Sequence, residues 1–361
     1  MEEMTGRERI GNILQREPVD RIGLFEQFWS DTREAWIGAG KIGEETDLET
    51  HFGFDMGLCW TFNLVADLDH VPEIVEETED TVLTRDGNGA LLRRHKKHDS
   101  TPEHVSFAVT DRESWEELTK PKLKAEPRRI DVESYRRARK RAKENDRFFC
   151  WAGVNVFELM HPVCGHEHML AGMALDPDFI RDMVDTYSRI TIELQEILFE
   201  AEGYPDGIWF YEDMGFKERP FMSPSMYKEL IQPGHKRTID FAKSLDLPVV
   251  MHSCGMVAPL VPHMMEAGID CLQVIEVKAG MDLLQLYKDF GDRLSFMGGI
   301  DVRVICAGDI SEIDKELESK IPQVMGNYGY VFHSDHSIPS SADYDVYKYT
   351  VDKALELGTY R

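Results

Sequence analysis

The sequence of 361 residues predicts an α/β fold in which residues 1–361 form a single (β/α)8 TIM barrel. From residue 147 onward, short apolar segments alternate with amphipathic segments, which is the pattern of parallel strands joined by helices. Six strands of this kind and two more near the N-terminus give the eight that close such a barrel. A histidine, a cysteine and a glutamate follow two of the strands, at the rim where barrels of this class carry out their chemistry.

The eight predicted strands are short apolar runs at residues 22–25, 56–62, 148–151, 207–211, 248–251, 271–275, 294–297 and 330–332. The predicted helices share an amphipathic pattern and lie at residues 5–16, 31–37, 45–52, 177–201, 223–244, 257–267, 282–290, 311–325 and 342–357. A doubly wound open sheet is the structural alternative. Because no GxGxxG motif follows the first strand, the sequence does not favour a dinucleotide-binding protein.

Two segments depart from the regular alternation of strand and helix. The helix at residues 5–16 predicts an N-terminal helical extension of the barrel. Residues 70–110 predict a small antiparallel β insertion, and its parts are a strand at 73–83, a glycine-rich turn at 85–89, a strand at 90–96 and a third strand at 104–109. We expect this insertion to pack on or near the barrel.

Composition and charge exclude several classes of partner. The net charge is −25, which argues against nucleic-acid binding because that function rests on a basic surface. No apolar run approaches the roughly 20 residues of a membrane span, and the N-terminus lacks the pattern of a signal peptide. We therefore expect a cytoplasmic protein that acts on a small molecule, with no nucleic acid and no membrane as partner.

The pair His252 and Cys254 carries the strongest chemical signal. The apolar residues before it predict that both lie at the end of a strand, where alternate residues share one side. Glu276 ends the next predicted strand, so all three side chains open at the same rim of a parallel barrel. An imidazole, a thiol and a carboxylate are ligands that suit a zinc ion. The alternative is a structural histidine, an inert thiol and a surface carboxylate.

Further polar residues follow other strands of the predicted barrel. Glu212 and Asp213 come directly after the strand at 207–211, where a carboxylate could orient substrate or act as a base. Helix capping or a salt bridge is the alternative for these two residues. Asp335 and His336 follow the last strand, which predicts either an active-site role or a structural hydrogen bond within a loop.

A dense group of potential ligands follows the strand at 148–151, and its members are Glu158, His161, Cys164, His166 and His168. Their spacing matches no regular ligand template. We expect these residues to line the substrate site or to stabilise the fold, with a second metal site as the alternative.

Several segments together resemble the uroporphyrinogen decarboxylase superfamily, and they are residues 7–9 (RER), 18–21 (PVDR), 211–215 (YEDMG), 222–224 (MSP), 252–255 (HSCG), 266–270 (EAGID) and 297–301 (MGGID). The resemblance spans most of the chain and is most specific between residues 205 and 345. It implies a TIM barrel with its active site at the C-terminal rim. The superfamily contains metal-free decarboxylases of porphyrin synthesis and zinc methyltransferases that work with corrinoid proteins or thiol acceptors.

The sequence resembles the methyltransferase branch more closely. True decarboxylases carry an arginine-rich N-terminal segment that binds the substrate carboxylates, and residues 25–31 (FEQFWSD) do not resemble it. The pair His252-x-Cys254 matches the zinc methyltransferases. Cobalamin-independent methionine synthase, a related barrel, has a glutamate ligand at a distance similar to that of Glu276. The further cysteine common in both groups is absent from residues 332–339, so His336 or Asp335 is expected to replace it as the fourth ligand, with His333 as a further candidate.

The resemblance therefore implies a zinc-dependent methyltransferase. It is expected to move a methyl group between a small methylated compound, preferably an O-methyl compound, and a corrinoid protein or a thiol acceptor. Glu212, Asp213 and His336 are the expected catalytic residues, and the corrinoid (cobalamin) is expected on a separate protein. A metal-free decarboxylase and a non-catalytic barrel that binds a small molecule remain the alternatives. Whether the protein forms a homodimer is left open.

Overall fold

The computed structural model describes residues 2–97 and 102–360. The strands in this part of the chain are β1 (Gly23–Leu24), β2 (Met56–Trp60), β3 (Glu73–Glu77), β4 (Thr81–Arg85), β5 (Leu91–His95), β6 (Glu103–Ser106), β7 (Phe148–Val154), β8 (Gly207–Tyr211), β9 (Val249–Ser253), β10 (Cys271–Val274), β11 (Ser295–Gly298) and β12 (Tyr330–Phe332).

The helices in the described part are α1 (Gly6–Gln15), α2 (Ser30–Gly38), α3 (Leu48–Phe52), α4 (Arg112–Ser114), α5 (Val132–Glu144), α6 (Val156–Leu175), α7 (Pro177–Glu202), α8 (Pro224–Met226), α9 (Gln232–Ser244), α10 (Val261–Ala267), α11 (Leu283–Phe290), α12 (Val302–Ala307), α13 (Ile310–Val324) and α14 (Tyr344–Leu357). Among the residues described, no helix is both long enough and apolar enough to cross a membrane.

Eight parallel strands curl into the barrel in the order β1-β12-β11-β10-β9-β8-β7-β2. The gap between β1 and β2 is bridged where the backbone N–H of Asp55 donates to the carbonyl oxygen of Leu24 at 2.9 Å. The carbonyl of Asp55 accepts in turn from the N–H of Phe148 at the start of β7. The predicted fold class is confirmed, because each of the eight predicted strands is present within a few residues of its expected bounds.

The register of three adjacent strands determines which side chains meet at the rim. Tyr211 on β8 lies beside His252 on β9, and His252 lies beside Gln273 on β10. Paired residues of neighbouring strands point to the same face of a sheet. Tyr211, His252 and Gln273 therefore form one row across the carboxyl ends of these strands.

Helix α6 is the main helix that the sequence pattern did not resolve. It contains Pro162, and its backbone leaves the helical conformation at Gly165, where φ is 74°. Both residues interrupt the 3.6-residue periodicity from which helices are predicted. Helix α7 follows at once, with Asp176 as its N-cap, and it packs against α6 and α9.

The insertion forms an antiparallel sheet in the order β3-β4-β5-β6. The single strand expected at 73–83 is wrong, because a turn at Thr78–Thr81 divides it into β3 and β4. Residues 98–101 of the predicted insertion lie outside the described part. The turn between β4 and β5 contacts the segment after β2, where Asn88 Oδ1 accepts from the N–H of Ala66 at 2.9 Å. The insertion therefore lies beside the carboxyl ends of the barrel strands.

A buried ion-pair network attaches the N-terminal extension to the barrel. Arg9 of α1 is only 3% exposed and pairs with both Asp20 and Asp55. Arg21 pairs with the second oxygen of Asp55 at 2.7 Å. The same oxygen accepts from the N–H of Leu24, so this network lies at the seam between β1 and β2. The RER and PVDR segments of the sequence thus have a structural role here.

Candidate metal centre

Three side chains from two strand ends converge at the rim. Asp213 follows β8, His252 lies within β9 and Cys254 follows it. One ligand atom from each of the three lies within 4.8 Å of the other two, and no other such group occurs among the described residues. His252 Nε2 lies 3.2 Å from Asp213 Oδ1 and 3.4 Å from Cys254 Sγ. The atoms thus surround one small volume.

Hydrogen bonds and a ring contact hold these side chains in place. The backbone N–H of Cys254 donates to Asp213 Oδ1 at 2.8 Å, and the Tyr211 hydroxyl donates to Asp213 Oδ2 at 2.9 Å. The Tyr211 ring stacks on the His252 imidazole with a centroid separation of 4.2 Å. Because each group has a partner that fixes its direction, little ordering would be needed for the three to bind an ion.

The electrostatics of this group fit a cation. Burial favours the neutral form of Asp213, but hydrogen bonds from His252, Cys254 and Tyr211 hold its pKa well below its usual range. Burial, followed by the charges of Asp213 and Glu276, raises the pKa of the Cys254 thiol. A divalent ion would compensate the carboxylates and stabilise the thiolate, which is the ligand form of cysteine. The donor set therefore fits zinc.

Glu276 lies in the same cavity but has a different partner. Its Oε2 accepts from the backbone N–H of Gly255 at 2.7 Å. Gly255 has a φ of +78°, and a Cβ there would lie 2.3 Å from the carbonyl carbon of Gly215. The Cys254 loop therefore depends on a glycine, and Glu276 holds that loop from outside the three-residue group.

Asp335 and His336 also lie outside the three-residue group. The two carboxylate oxygens of Asp335 accept from the N–H groups of Val277 at 2.9 Å and Val302 at 2.8 Å. The His336 ring stacks on Trp29, and its Nδ1 lies 3.1 Å from the carbonyl oxygen of Ser337. The structure thus gives Asp335 a role in joining loops, and it does not bring Asp335 or His336 to the three-residue group.

Glu212, unlike its neighbour Asp213, is fully buried beneath the rim. Its Oε1 accepts from the N–H of Phe157 at 2.9 Å and contacts His235 Nε2 at 2.6 Å. Its Oε2 accepts from the N–H of Glu158 at 2.8 Å. These contacts satisfy the free N–H groups of the first turn of α6, which is the helix-capping alternative for this residue.

Two cavities adjoin the group. One has a volume of about 460 Å³ and is lined by Asp213, Cys254 and Glu276 on one side and by Phe221 and His166 on the other. The second has a volume of about 400 Å³ and is mainly apolar, with walls that include Trp60, Phe62, Leu64 and Tyr211. Glu158 lines both cavities. A small organic molecule in the first cavity would lie against Asp213 and Cys254, whereas the second cavity adjoins the group through Tyr211.

Glu158 and His161 form a pair that faces this space. Glu158 Oε1 lies 2.7 Å from His161 Nε2, whereas Glu158 Oε2 and His161 Nδ1 are buried and have no partner in the described structure. Burial raises the pKa of Glu158 and lowers the pKa of His161 to about 4. Buried polar atoms without partners are costly, so this pair is a candidate for binding a polar ligand. The substrate-lining role stays a prediction.

Three buried polar residues lie behind the group: Gln273 and Glu26 were not identified from the sequence, and His333 was expected only as a further candidate for the fourth ligand. They lie below His252, and Gln273 Oε1 contacts His252 Nδ1 directly. The available signal was a glutamine at 0% exposure in the middle of an apolar strand. Buried polar side chains in such a position require partners, which points to a network.

The fold and the three-residue group define a barrel with a candidate metal centre at its C-terminal rim, and comparison with known proteins extends this description. The uroporphyrinogen decarboxylase (URO-D) family model matches residues 96–357. The chain therefore belongs to the uroporphyrinogen decarboxylase family, and it is an enzyme.

Similar proteins include both branches of this family. The methylated-thiol–coenzyme M methyltransferase of Methanosarcina mazei is 24% identical over 146 residues, or 40% of this chain and 37% of that protein. The uroporphyrinogen decarboxylase of Streptomyces avermitilis is 24% identical over 184 residues, or 51% of this chain and 49% of that protein. The chain thus matches less than half the length of these two relatives.

A solved structure described as a methyltransferase from Methanosarcina mazei is similar over almost the whole chain. It has a TM-score of 0.64 and 16% sequence identity, and the match covers 98% of both chains. At this identity the likeness establishes the shared fold.

Proposed function

We propose that the protein is a zinc-dependent methyltransferase whose metal ligands are Asp213, His252 and Cys254. The observation that carries this proposal is the convergence of one ligand atom from each residue within 4.8 Å. The similarity to a methylated-thiol–coenzyme M methyltransferase supports methyl transfer as the reaction. The substrate would take the fourth position, which catalytic zinc sites keep open.

The ligand set favours an oxygen-bound methyl group over a sulfur-bound one. A site with one sulfur, one nitrogen and one carboxylate oxygen is harder than a site with two thiolates. When bound, zinc would act as a Lewis acid that polarises the oxygen of the methyl donor. We therefore propose a methyl ether or methanol as the donor and a corrinoid protein, or a thiol compound, as the acceptor.

The remaining residues of the site would bind and orient this donor. The apolar cavity beside Tyr211 has a volume of about 400 Å³, which accommodates an aromatic or alkyl group. The unpartnered atoms of Glu158 and His161 could hydrogen-bond the departing oxygen or a neighbouring polar group. We assign the corrinoid to a separate protein that approaches the rim, because the candidate ligands lie at that face of the barrel.

Metal-free decarboxylation is the second candidate function, and family membership favours it. A polycarboxylate substrate requires clustered cations for its recognition. The charged residues around the 460 Å³ cavity are mixed, with Lys217 and Lys278 opposed by Asp213, Glu218 and Glu276. This balance supports a less highly charged substrate.

Metal analysis and a methylation assay test the two functions together. The purified protein is expected to contain one zinc per chain and to methylate a Co(I) corrinoid protein from a methyl ether or methanol, which is followed by the change in the corrinoid spectrum. His252→Ala should remove both the zinc and the activity. Protein that lacks zinc after zinc supplementation and decarboxylates uroporphyrinogen would establish the second function instead. Methylation of a thiol without turnover of any methyl ether or methanol would refute the preference for oxygen.

A further inference from the structure

A buried chain of polar side chains leads from β1 to the rear of His252. Glu26 Oε1 lies 3.2 Å from His333 Nε2, and His333 Nε2 lies 3.4 Å from Gln273 Nε2. Gln273 Oε1 then contacts His252 Nδ1. None of these four residues is more than 5% exposed. These four side chains are therefore held in place, and bulk water has little access to the hydrogen bonds between them.

His333 determines the direction of donation along this series of hydrogen-bonded side chains. Its Nδ1 lies 2.6 Å from the carbonyl oxygen of Ser334, which can only accept, so Nδ1 carries a hydrogen. Burial lowers the pKa of His333 to about 3, which keeps the ring neutral. A neutral imidazole has one N–H, so Nε2 of His333 must accept hydrogen bonds.

Glu26 and Gln273 both face this acceptor, and each must therefore donate to it. Glu26 can donate only as a carboxylic acid, and burial raises its pKa to about 8. Its Oε2 meanwhile accepts from the N–H of Ser334 at 2.9 Å. Gln273 donates through its amide NH2, and this orientation directs its Oε1 toward His252.

We propose that Glu26, His333 and Gln273 are positioning residues that hold a hydrogen of His252 on Nδ1 and so leave Nε2 as the nitrogen that exchanges its proton for a metal. Gln273 Oε1 is an acceptor, so His252 Nδ1 donates to it. The Nε2 atom then faces Asp213 and Cys254 as the exchangeable position, which a proton or a metal ion can occupy. A partner on the far nitrogen of a metal-binding histidine fixes both its tautomer and its ring direction.

Two parts of this proposal can fail separately. The assignment of the hydrogen to Nδ1 concerns the metal-free protein and does not depend on the proposed function. The effect on metal affinity rests on the proposed zinc site. A test of the tautomer in the metal-free protein therefore distinguishes a failure of this inference from a failure of the proposed function.

The tautomer is measured by ¹⁵N NMR of histidine-labelled, metal-free protein, with the His252 signal assigned by its loss in His252→Ala. In the wild-type protein we expect a protonated Nδ1. In Gln273→Met the acceptor behind Nδ1 is lost, and we expect Nδ1 to lose its hydrogen while Nε2 keeps its hydrogen bond to Asp213. An unprotonated Nδ1 in the wild-type protein, or an unchanged tautomer in Gln273→Met, would overturn the proposal.

Zinc affinity is measured in parallel by competition with a chromogenic chelator. Loss of such a partner behind a ligand lowers metal affinity roughly 10–100-fold, which is our expectation for Gln273→Met. Glu26→Met should weaken zinc binding less, because it acts through two intervening side chains. Glu26→Gln is its matched control, since the amide still donates to His333 and both variants lose the acceptor for the N–H of Gln27.

The ratio between these two Glu26 variants measures the polar contacts that Glu26→Gln keeps and Glu26→Met loses, which are the donation to His333 and the acceptance from the N–H of Ser334. We expect Glu26→Gln to retain the wild-type tautomer of His252 and to bind zinc more tightly than Glu26→Met does. Equal affinities in two folded variants would overturn the role of Glu26. Gln273→Glu keeps an acceptor for His252, and it provides a second folded variant if Gln273→Met proves unstable.

Discussion

The two ends of the barrel contain charged groups that differ in their balance of positive and negative charge. At the amino end, Arg9 and Arg21 face Asp20 and Asp55, so two positive charges balance two negative charges. At the carboxyl end, Asp213 and Glu276 surround Cys254 and His252 without an arginine or lysine among the ligand atoms. In the balanced group the charges neutralise one another, and their ion pairs stabilise the fold. A bound cation would compensate the unbalanced group, and this difference supports the proposed metal centre.

The largest effect is expected from a substitution that disrupts the unbalanced group at the carboxyl end. Cys254→Ala removes the sulfur ligand, and we expect zinc affinity to fall by more than the roughly 100-fold that follows loss of a residue behind a ligand. The stability of the metal-free protein should change by less than about 1 kcal/mol, because one polar atom is removed from a cavity wall. Chelator competition and thermal unfolding measure the two quantities. Tight zinc binding by Cys254→Ala would contradict the assignment.

Breaking the balanced group should have the opposite result. Arg9→Met leaves Asp20 and Asp55 without their buried partner, which typically costs about 3–5 kcal/mol of stability. Urea unfolding of the metal-free protein measures this loss. If the variant folds, its zinc affinity should equal that of the wild-type protein. A variant of normal stability would contradict the stabilising role of this ion-pair network. A variant with weakened zinc binding would show that the two ends are not separate in function.

The pH dependence of stability should differ between the two ends. Arg9 lowers the pKa of Asp20 from 3.8 to about 2 against the opposing effect of burial. The stability that Asp20 contributes is therefore present above pH 4 and is lost as the pH falls toward 2. Burial raises the pKa of Glu26 from 4.5 to about 8, so the stability linked to its proton is present below pH 4.5 and is lost as the pH rises through 8.

Urea unfolding across this pH range measures both effects in the metal-free protein. Glu26→Gln should remove the loss between pH 4.5 and about 8 and leave the acid loss unchanged. An unchanged loss over that range in this variant would assign it to another group.

The smallest effect is expected for a substitution in the cavity at the carboxyl end, where the methyl donor is proposed to bind. His161→Leu removes one of the two buried, unpartnered polar atoms beside the cavity, and it leaves the proposed metal ligands intact. We expect an unchanged zinc content and a KM for the methyl donor raised by about 3–10-fold, the value of one hydrogen bond. Steady-state kinetics with the methyl donor found in the methylation assay measure this KM. A loss of zinc would instead assign His161 to the metal site.

The barrel was predictable from the sequence because its strands are buried on both faces. Strands such as β8 and β10 appear as short continuous apolar runs, and their order follows from the alternation with helices. The insertion strand at 73–83 was predicted without its turn, since exposed polar residues such as Glu79 and Asp80 carry little information about where a strand ends. Helix α6 was obscured by Pro162 and Gly165.

The metal-ligand group was predictable only in part. His252 and Cys254 are two residues apart, so local geometry alone brings them together. The choice between Asp213 and Glu276 as the neighbouring carboxylate depends on loop geometry between strands, which no local pattern specifies. Glu276 instead accepts from Gly255, and Asp335 accepts from two backbone N–H groups. The chain behind His252 depends on partners up to hundreds of residues away along the sequence.

X-ray absorption spectroscopy of the zinc-loaded protein tests the central claim most directly. Asp213, His252 and Cys254 predict a zinc ion with a single sulfur neighbour at about 2.3 Å and with nitrogen and oxygen neighbours at about 2.0–2.2 Å. The sulfur neighbour should disappear in Cys254→Ala. Two or more sulfur neighbours, or none in the wild-type protein, would contradict this assignment of the metal centre.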